Sequence, residues 1–118
     1  AQHISDCSWL PDKELAVYSE EYRKNGFQGG LQWYRCAGLI GDDLWAYSDQ
    51  SIDSPACYIA GKRDWGTYQK PGSFERMQTS TCTRIEAVHL IERAGHWVQQ
   101  EQPVATARLL IEFLTQRE

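Results

Sequence analysis

The chain has 118 residues, 42% of them hydrophobic and 12% aromatic, a composition that folds rather than stays disordered and a length for one domain at most. Its 12 Lys and Arg against 16 Asp and Glu leave a formal charge of −4 with no basic cluster. That excludes a nucleic-acid footprint or an anionic membrane surface and leaves small molecules or other proteins as partners.

Residues 1 to 9 carry no periodic pattern and read as an irregular lead-in. Ala1 to Asp6 lacks the basic and then apolar order of a signal region, and the absent initiator methionine fits a processed or excised segment. Pro11 and Asp12 supply helix-start chemistry, Leu15, Tyr18 and Tyr22 share a face, and Asn25-Gly26 supplies a stop, which predicts a helix from Asp12. Its aromatic stripe reads as core packing. A second helix is predicted from Gly29 to Cys36, where Trp33 would anchor the backbone while the Tyr34 phenol projects into a cavity. A phenol donates a hydrogen bond to an oxygen that gains negative charge, without being charged at rest. Residues 37 to 54 read as a connector, with Asp42 and Asp43 as solvated loop charges because no further ligands stand at metal spacing.

Pro55 to Ala60 is apolar without alternation, as in a parallel strand covered on both faces. Gly61 permits a tight exit into the loop that presents Asp64, and Trp65 stands next to it, able to shield the carboxylate from water. On its own, an aspartate in a glycine-rich loop is equally a turn former. Pro71 to Thr79 predicts a helix start with Phe74 and Met77 inward, and Thr83 to Ile91 predicts the second strand. His89 inside that strand has no polar partner in sequence and reads as packing or surface, not chemistry.

Beyond the strand the chain turns at Gly95 and delivers His96 to a loop ahead of a helix opened by Pro103 and running to about Gln116. Trp97 and Val98 are expected to fix this loop by packing, and Glu101 to cap the following helix near its positive end. Val104, Ala107, Leu110, Ile111 and Leu114 form one broad face to cover the sheet. The four cysteines, Cys7, Cys36, Cys57 and Cys82, form no C-x-x-C pair and read as free buried thiols of a reducing cytoplasm. With three histidines available, no zinc site is expected, and no run approaches the roughly 20 apolar residues of a membrane span.

His96 is the first candidate for chemistry, because a strand-to-helix turn is rigid behind and open in front. Spacing alone leaves a second reading open, a hydrogen-bonded structural histidine. Asp64 leaves the end of the other strand at the same edge. An acid there can fix the imidazole tautomer and stabilise the imidazolium.

Three segments, Gly26-Phe27-Gln28-Gly29-Gly30-Leu31-Gln32-Trp33-Tyr34-Arg35, Ile59-Ala60-Gly61-Lys62-Arg63-Asp64 and Gly95-His96-Trp97-Val98-Gln99-Gln100-Glu101-Gln102-Pro103, occur in this order. Together they strongly resemble the C-terminal part of soluble epoxide hydrolases of the α/β-hydrolase fold, from about Leu10 to Leu114. The resemblance implies an α/β fold class: a helical cap remnant and connector over residues 1–50, and over residues 51–118 a βαβα part of the core, with two parallel strands and covering helices. It implies that Asp64 and His96 activate water and that Tyr34 reaches down from the cap to hold the epoxide oxygen. Trp33, Trp65 and Trp97 would line the pocket of a small hydrophobic epoxide, and no metal or organic cofactor is needed.

Nothing here resembles the family's His-Gly-x-Pro oxyanion loop or the elbow whose aspartate attacks the epoxide, both of which lie upstream of the cap. The chain therefore looks like the last third of an enzyme that makes diols through an ester. Alone it is expected to be inactive, with an open sheet edge and apolar surface that call for the N-terminal part of the same enzyme or for self-association. Two other readings stand beside it. A sister α/β-hydrolase such as a dehalogenase shares the Asp–His pair but stabilises a halide, against which Tyr34 argues. A non-catalytic binding or assembly module is favoured by the missing nucleophile.

Overall fold

A computed structural model of the chain describes residues 7 to 116. The chain divides into two compact units, Ala1–Asp49 and Gln50–Glu118, where length alone allows one domain at most. The irregular lead-in falls partly outside the described residues; its visible end is a turn closed by the Leu10 N–H on the Cys7 carbonyl at 3.1 Å.

The first unit is helical. Helix α1, Asp12–Asn25, follows an extended Pro11, carries Asp12 and Glu14 in its first turn and Arg23 and Lys24 in its last, and so matches its own dipole. It stops at Gly26, whose φ of 64° suits glycine and whose N–H bonds the Tyr22 carbonyl. Helix α2 spans Gln28–Ala37 and a short α3 spans Gly41–Trp45. Asp43 is thus an exposed helical residue and not a loop charge; the matching reading of Asp42 concerns a side chain outside the described ones.

The aromatic stripe of α1 does not form a core. Neither α1 nor α2 buries a residue, and Tyr18 and Tyr22 are each 44% exposed. Three short helices enclose too little space for large rings. Tyr22 instead stacks on Phe27 with ring centroids 4.4 Å apart, and with Val17, Tyr18, Gly29 and Gly30 it lines a cavity of about 560 Å³.

The second unit holds the sheet. Strand β1, Ala56–Gly61, pairs in parallel with β2, Ile85–Ile91, starting at Ala56 opposite Ile85, slipping by one residue at Cys57 opposite Ala87, and ending at Gly61 opposite Ile91. A single parallel bridge, Ile52 to Cys82, precedes them. Only the C-terminal end of β1, Ala60 and Gly61, is buried, whereas its apolar run predicts cover along both faces. A two-stranded sheet has no inner strand, so Ala56 to Ile59 stay half-buried.

Between the strands lie a 3₁₀ turn, Trp65–Tyr68, a one-turn helix α4, Ser73–Arg76, and a π turn, Met77–Thr81. The helix expected from Pro71 to Thr79 begins at Ser73 and widens into the π turn from Met77, where Thr79 and Ser80 donate their hydroxyls back to the Glu75 and Arg76 carbonyls at 3.0 and 3.2 Å. Phe74 packs as expected, near Tyr58 and Tyr68 at 5.4 and 6.0 Å between centroids.

After β2 come a one-turn helix α5, Val98–Glu101, and α6, Pro103–Thr115, which Pro103 opens. Helix α6 is rotated relative to the sequence expectation. Val104 is 81% exposed, with Ile111 and Leu114 open as well, while Thr106 is buried and Ala105, Leu109 and Phe113 are half-buried. Thr106 holds that orientation by donating to the Gln102 carbonyl at 2.9 Å and the Val98 carbonyl at 3.3 Å. Its apolar side chains run nearly all round, and a small sheet can cover only one side of such a helix.

Candidate active site

The ends of β1 and β2 are laced together by backbone. The Lys62 N–H bonds the Ile91 carbonyl and the Arg63 N–H the Ala94 carbonyl, both at 2.9 Å. A Cβ on Gly61 would lie 2.2 Å from the Gly95 oxygen and 2.4 Å from the Ala94 carbonyl, so only glycine permits this approach. Ala94 is fully buried there. Outside the lacing, Lys62 pairs with Glu92, whose hydrogen bond and charge hold the Lys62 ammonium above its usual pKa.

The lacing places two polar side chains at one edge. Asp64 caps the 3₁₀ turn, its Oδ1 accepting from the Gly66 N–H at 2.8 Å, and is 9% exposed. The same Oδ1 lies 3.1 Å from Nδ1 of His96. A carboxylate accepts, so the imidazole donates through Nδ1 and keeps the Nε2 lone pair free. The His96 side chain is 54% exposed, which leaves that lone pair within reach of water. Buried acid and open imidazole together make a group that can take a proton from a water molecule.

Two tryptophans bracket the imidazole. The Trp65 ring lies nearly parallel to it at 6.2 Å, and Trp97 meets it edge-on at 5.1 Å. Trp65 is itself exposed and its ring faces the histidine. The Gly66 N–H holds the Asp64 carboxylate. Val98 is buried and fixes the loop as expected, whereas Trp97 is half exposed.

Glu101 does not cap α6. Its carboxylate reaches back along α5 and accepts from the Gly95 N–H at 2.7 Å and the Trp97 N–H at 3.1 Å, and no side chain caps the start of α6. Charge placement along the sequence misses this. The usable signal is Gly95, where a Cβ would stand only 3.2 Å from Glu101 Oε1.

The structure thus gathers Asp64, His96, Trp65 and Trp97 within the second unit. Tyr34 and Trp33 stand on α2 in the first unit, 77% and 80% exposed among the described residues, so Trp33 is not packed as an anchor there. His89 is half-buried on β2 opposite Ile59. Cys82 is buried and Cys57 partly so, its thiol pKa pushed up by burial, but Cys36 on α2 is exposed, contrary to four buried thiols. Among the described residues no cluster of three or more His, Cys, Asp or Glu could hold a metal, and no helix is long and apolar enough to cross a membrane.

No family model matches the chain. It is 33% identical over 107 residues to epoxide hydrolase B of Mycobacterium tuberculosis, an alignment covering 91% of this chain and 30% of that protein. With epoxide hydrolase A of the same organism it shares 32% over 109 residues, covering 92% and 33%. Among solved structures it is similar to potato (Solanum tuberosum) epoxide hydrolase I, with a TM-score of 0.82 and 26% identity over 92% of this chain and 35% of that one. Epoxide hydrolase A from Mycobacterium thermoresistibile matches with a TM-score of 0.77 and 33% identity, over 92% and 33%. The chain spans about a third of the length of the relatives it matches.

Proposed function

We propose that this chain, which corresponds in sequence and fold to the C-terminal part of epoxide hydrolases of the α/β-hydrolase fold, carries the water-activating half of an epoxide hydrolase. The observation that carries this reading is the 3.1 Å contact between Asp64 Oδ1 and His96 Nδ1 at the laced strand ends. It leaves Nε2 as a base that faces solvent between two tryptophan rings.

In the complete protein an aspartate from sequence upstream of the cap attacks one epoxide carbon. A carbon–oxygen bond of the ring breaks, an ester forms, and the ring oxygen takes a hydrogen bond and then a proton from Tyr34, assisted by a second cap tyrosine outside these residues. A water molecule then gives its proton to Nε2 of His96 and adds to the ester carbonyl. The carbonyl intermediate collapses, the diol oxygen leaves with the proton from the imidazolium, and the acid proton left on the nucleophile's carboxyl returns through water to the Tyr34 phenolate, which restores both aspartate and phenol. Asp64 remains ionised throughout and holds the ring. One water is consumed for each epoxide.

Trp65 and Trp97 beside His96 give this site an apolar wall suited to a small hydrophobic epoxide. The isolated chain supplies base and orienter without a nucleophile, so it is inactive until joined by the N-terminal part of the same enzyme. Free thiols at Cys7, Cys36, Cys57 and Cys82 favour a cytoplasmic setting.

Complementation tests this reading. The chain is co-expressed with the nucleophile-bearing part of the protein, the complex is purified, and diol formation is followed on a panel of apolar epoxides in ¹⁸O water. Diol carrying one ¹⁸O over many turnovers supports the reading. A stable complex that leaves every epoxide intact refutes it.

A further inference from the structure

We infer that Glu101 is a positioning residue for His96, acting through the backbone N–H groups of the residues on either side of the histidine. Each of its two carboxylate oxygens holds one of them, Oε2 accepting from the Gly95 N–H at 2.7 Å and Oε1 from the Trp97 N–H at 3.1 Å. His96 is the residue between those donors, so one half-buried carboxylate fixes the backbone before and after its Cα.

The rest of the loop supports the same function. The Glu101 N–H donates back to the Trp97 carbonyl at 2.8 Å, so Trp97 and Glu101 are tied in both directions. On the far side of the Gly95 peptide lies Gly61, close enough to exclude any Cβ, and the neighbouring Ala94 carbonyl accepts from the Arg63 N–H at 2.9 Å. The turn that carries the histidine is therefore clasped by β1 on one side and by Glu101 on the other. A hydrogen bond from a backbone N–H to a carboxylate is among the stronger kinds, and two on one side chain resist rotation of the turn. The imidazole hangs on this frame, and its 3.1 Å approach to Asp64 leaves little slack for a turn that drifts.

Without the clasp the His96 ring loses its fixed offset from Asp64, and the proton that Asp64 holds on Nδ1 is free to move to Nε2, the site a solvated imidazole prefers. With its proton on Nε2, the ring turns its remaining lone pair toward Asp64 and has none on the nitrogen that faces the water. This assignment rests on the reading of His96 as general base for what the positioning serves, but the geometry can be tested without turnover.

The experiment is solution NMR of the 118-residue chain, isotope-labelled and in complex with the nucleophile-bearing part, wild type against Glu101→Ala and Glu101→Gln, reading amide exchange at Gly95 and Trp97 and the ¹⁵N shifts of the His96 ring. In Glu101→Ala both amides exchange roughly tenfold or more faster, the scale of one lost charged hydrogen bond, and the ring shifts toward the Nε2–H tautomer. Ile59 and Leu90 in the sheet keep their wild-type exchange. Glu101→Gln retains one carbonyl acceptor, protects one of the two amides and restores part of the ring signature. Wild-type ring shifts and amide protection in Glu101→Ala overturn the assignment, as does acceleration that is equal at Ile59 and Leu90. If Glu101→Ala does not fold, Glu101→Gln decides: full protection at both amides overturns the clasp, and loss at one with a shifted ring supports it. Failure of the hydrolase reading appears elsewhere, as absence of diol from the wild-type complex.

Discussion

Replacing Gly61 by alanine tests whether the approach of the two strand ends sets the active geometry. The added Cβ would meet the Gly95 oxygen at 2.2 Å and the Ala94 carbonyl at 2.4 Å, against a floor of 3.0 Å for real contacts, so the backbones must part by at least 0.8 Å. Both obstacles are main chain and no rotamer change relieves them. Passed on to the lacing, that displacement carries the two 2.9 Å bonds at Lys62 and Arg63 out of hydrogen-bond range, and the 3.1 Å contact of Asp64 with His96 with them. Overpacking together with weakened backbone bonds costs about 2–4 kcal/mol. For a domain of this size that is a loss of roughly 10 °C or more in Tm. Thermal unfolding followed by tryptophan fluorescence measures it, and the ring ¹⁵N shifts of His96 report the contact. Gly30→Ala is the control: nothing lies within 4 Å of its Cβ on α2, and the helix gains about 0.5–1 kcal/mol. An unfolding midpoint for Gly61→Ala at or above wild type, with the His96 ring signature intact, refutes the reasoning.

His96→Gln in the complemented enzyme removes the base but not the nucleophile, so ester accumulates to one equivalent and diol release falls by roughly 10²–10⁴-fold; intact-mass spectrometry after acid quench detects the adduct. Tyr34→Phe spares ester hydrolysis and slows ring opening by roughly 10²-fold or more, which a single-turnover quench separates from the second step. Arg93 leaves β2 with a φ of 58°, a left-handed backbone that costs an L side chain about 1–2 kcal/mol. Arg93→Gly removes that strain against a glycine entropy cost of about 0.5–1 kcal/mol, for a net gain of up to about 1.5 kcal/mol in urea unfolding.

Helix α1 was legible because its signals are local: proline before it, acids in the first turn, bases in the last, glycine after it. The placement of Asp64 and His96 at one sheet edge was legible for a similar reason, since each follows an apolar strand directly. Their 3.1 Å contact agrees with the pairing expected of an acid and a histidine at one edge, whereas the register slip between Ala56 and Cys57 is encoded by no periodicity. The orientation of α6 failed on the opposite ground: with apolar residues on nearly every side, its pattern names no single buried face, and the Thr106 hydroxyl settles the matter through two carbonyls. Glu101 was misassigned because charge near a helix start is a weak pull of about 0.3–1 kcal/mol, outcompeted by two direct N–H donors.

Every bond that holds Asp64 to His96 lies between residues 61 and 101, inside the unit that begins at Gln50. For recombination among relatives this makes the junction of Asp49 and Gln50 a natural crossover point. A chimera that imports residues 50 to 118 as a block inherits acid, histidine and their lacing in matched form. A crossover between Gly61 and Gly95 pairs strand ends that were never selected to touch.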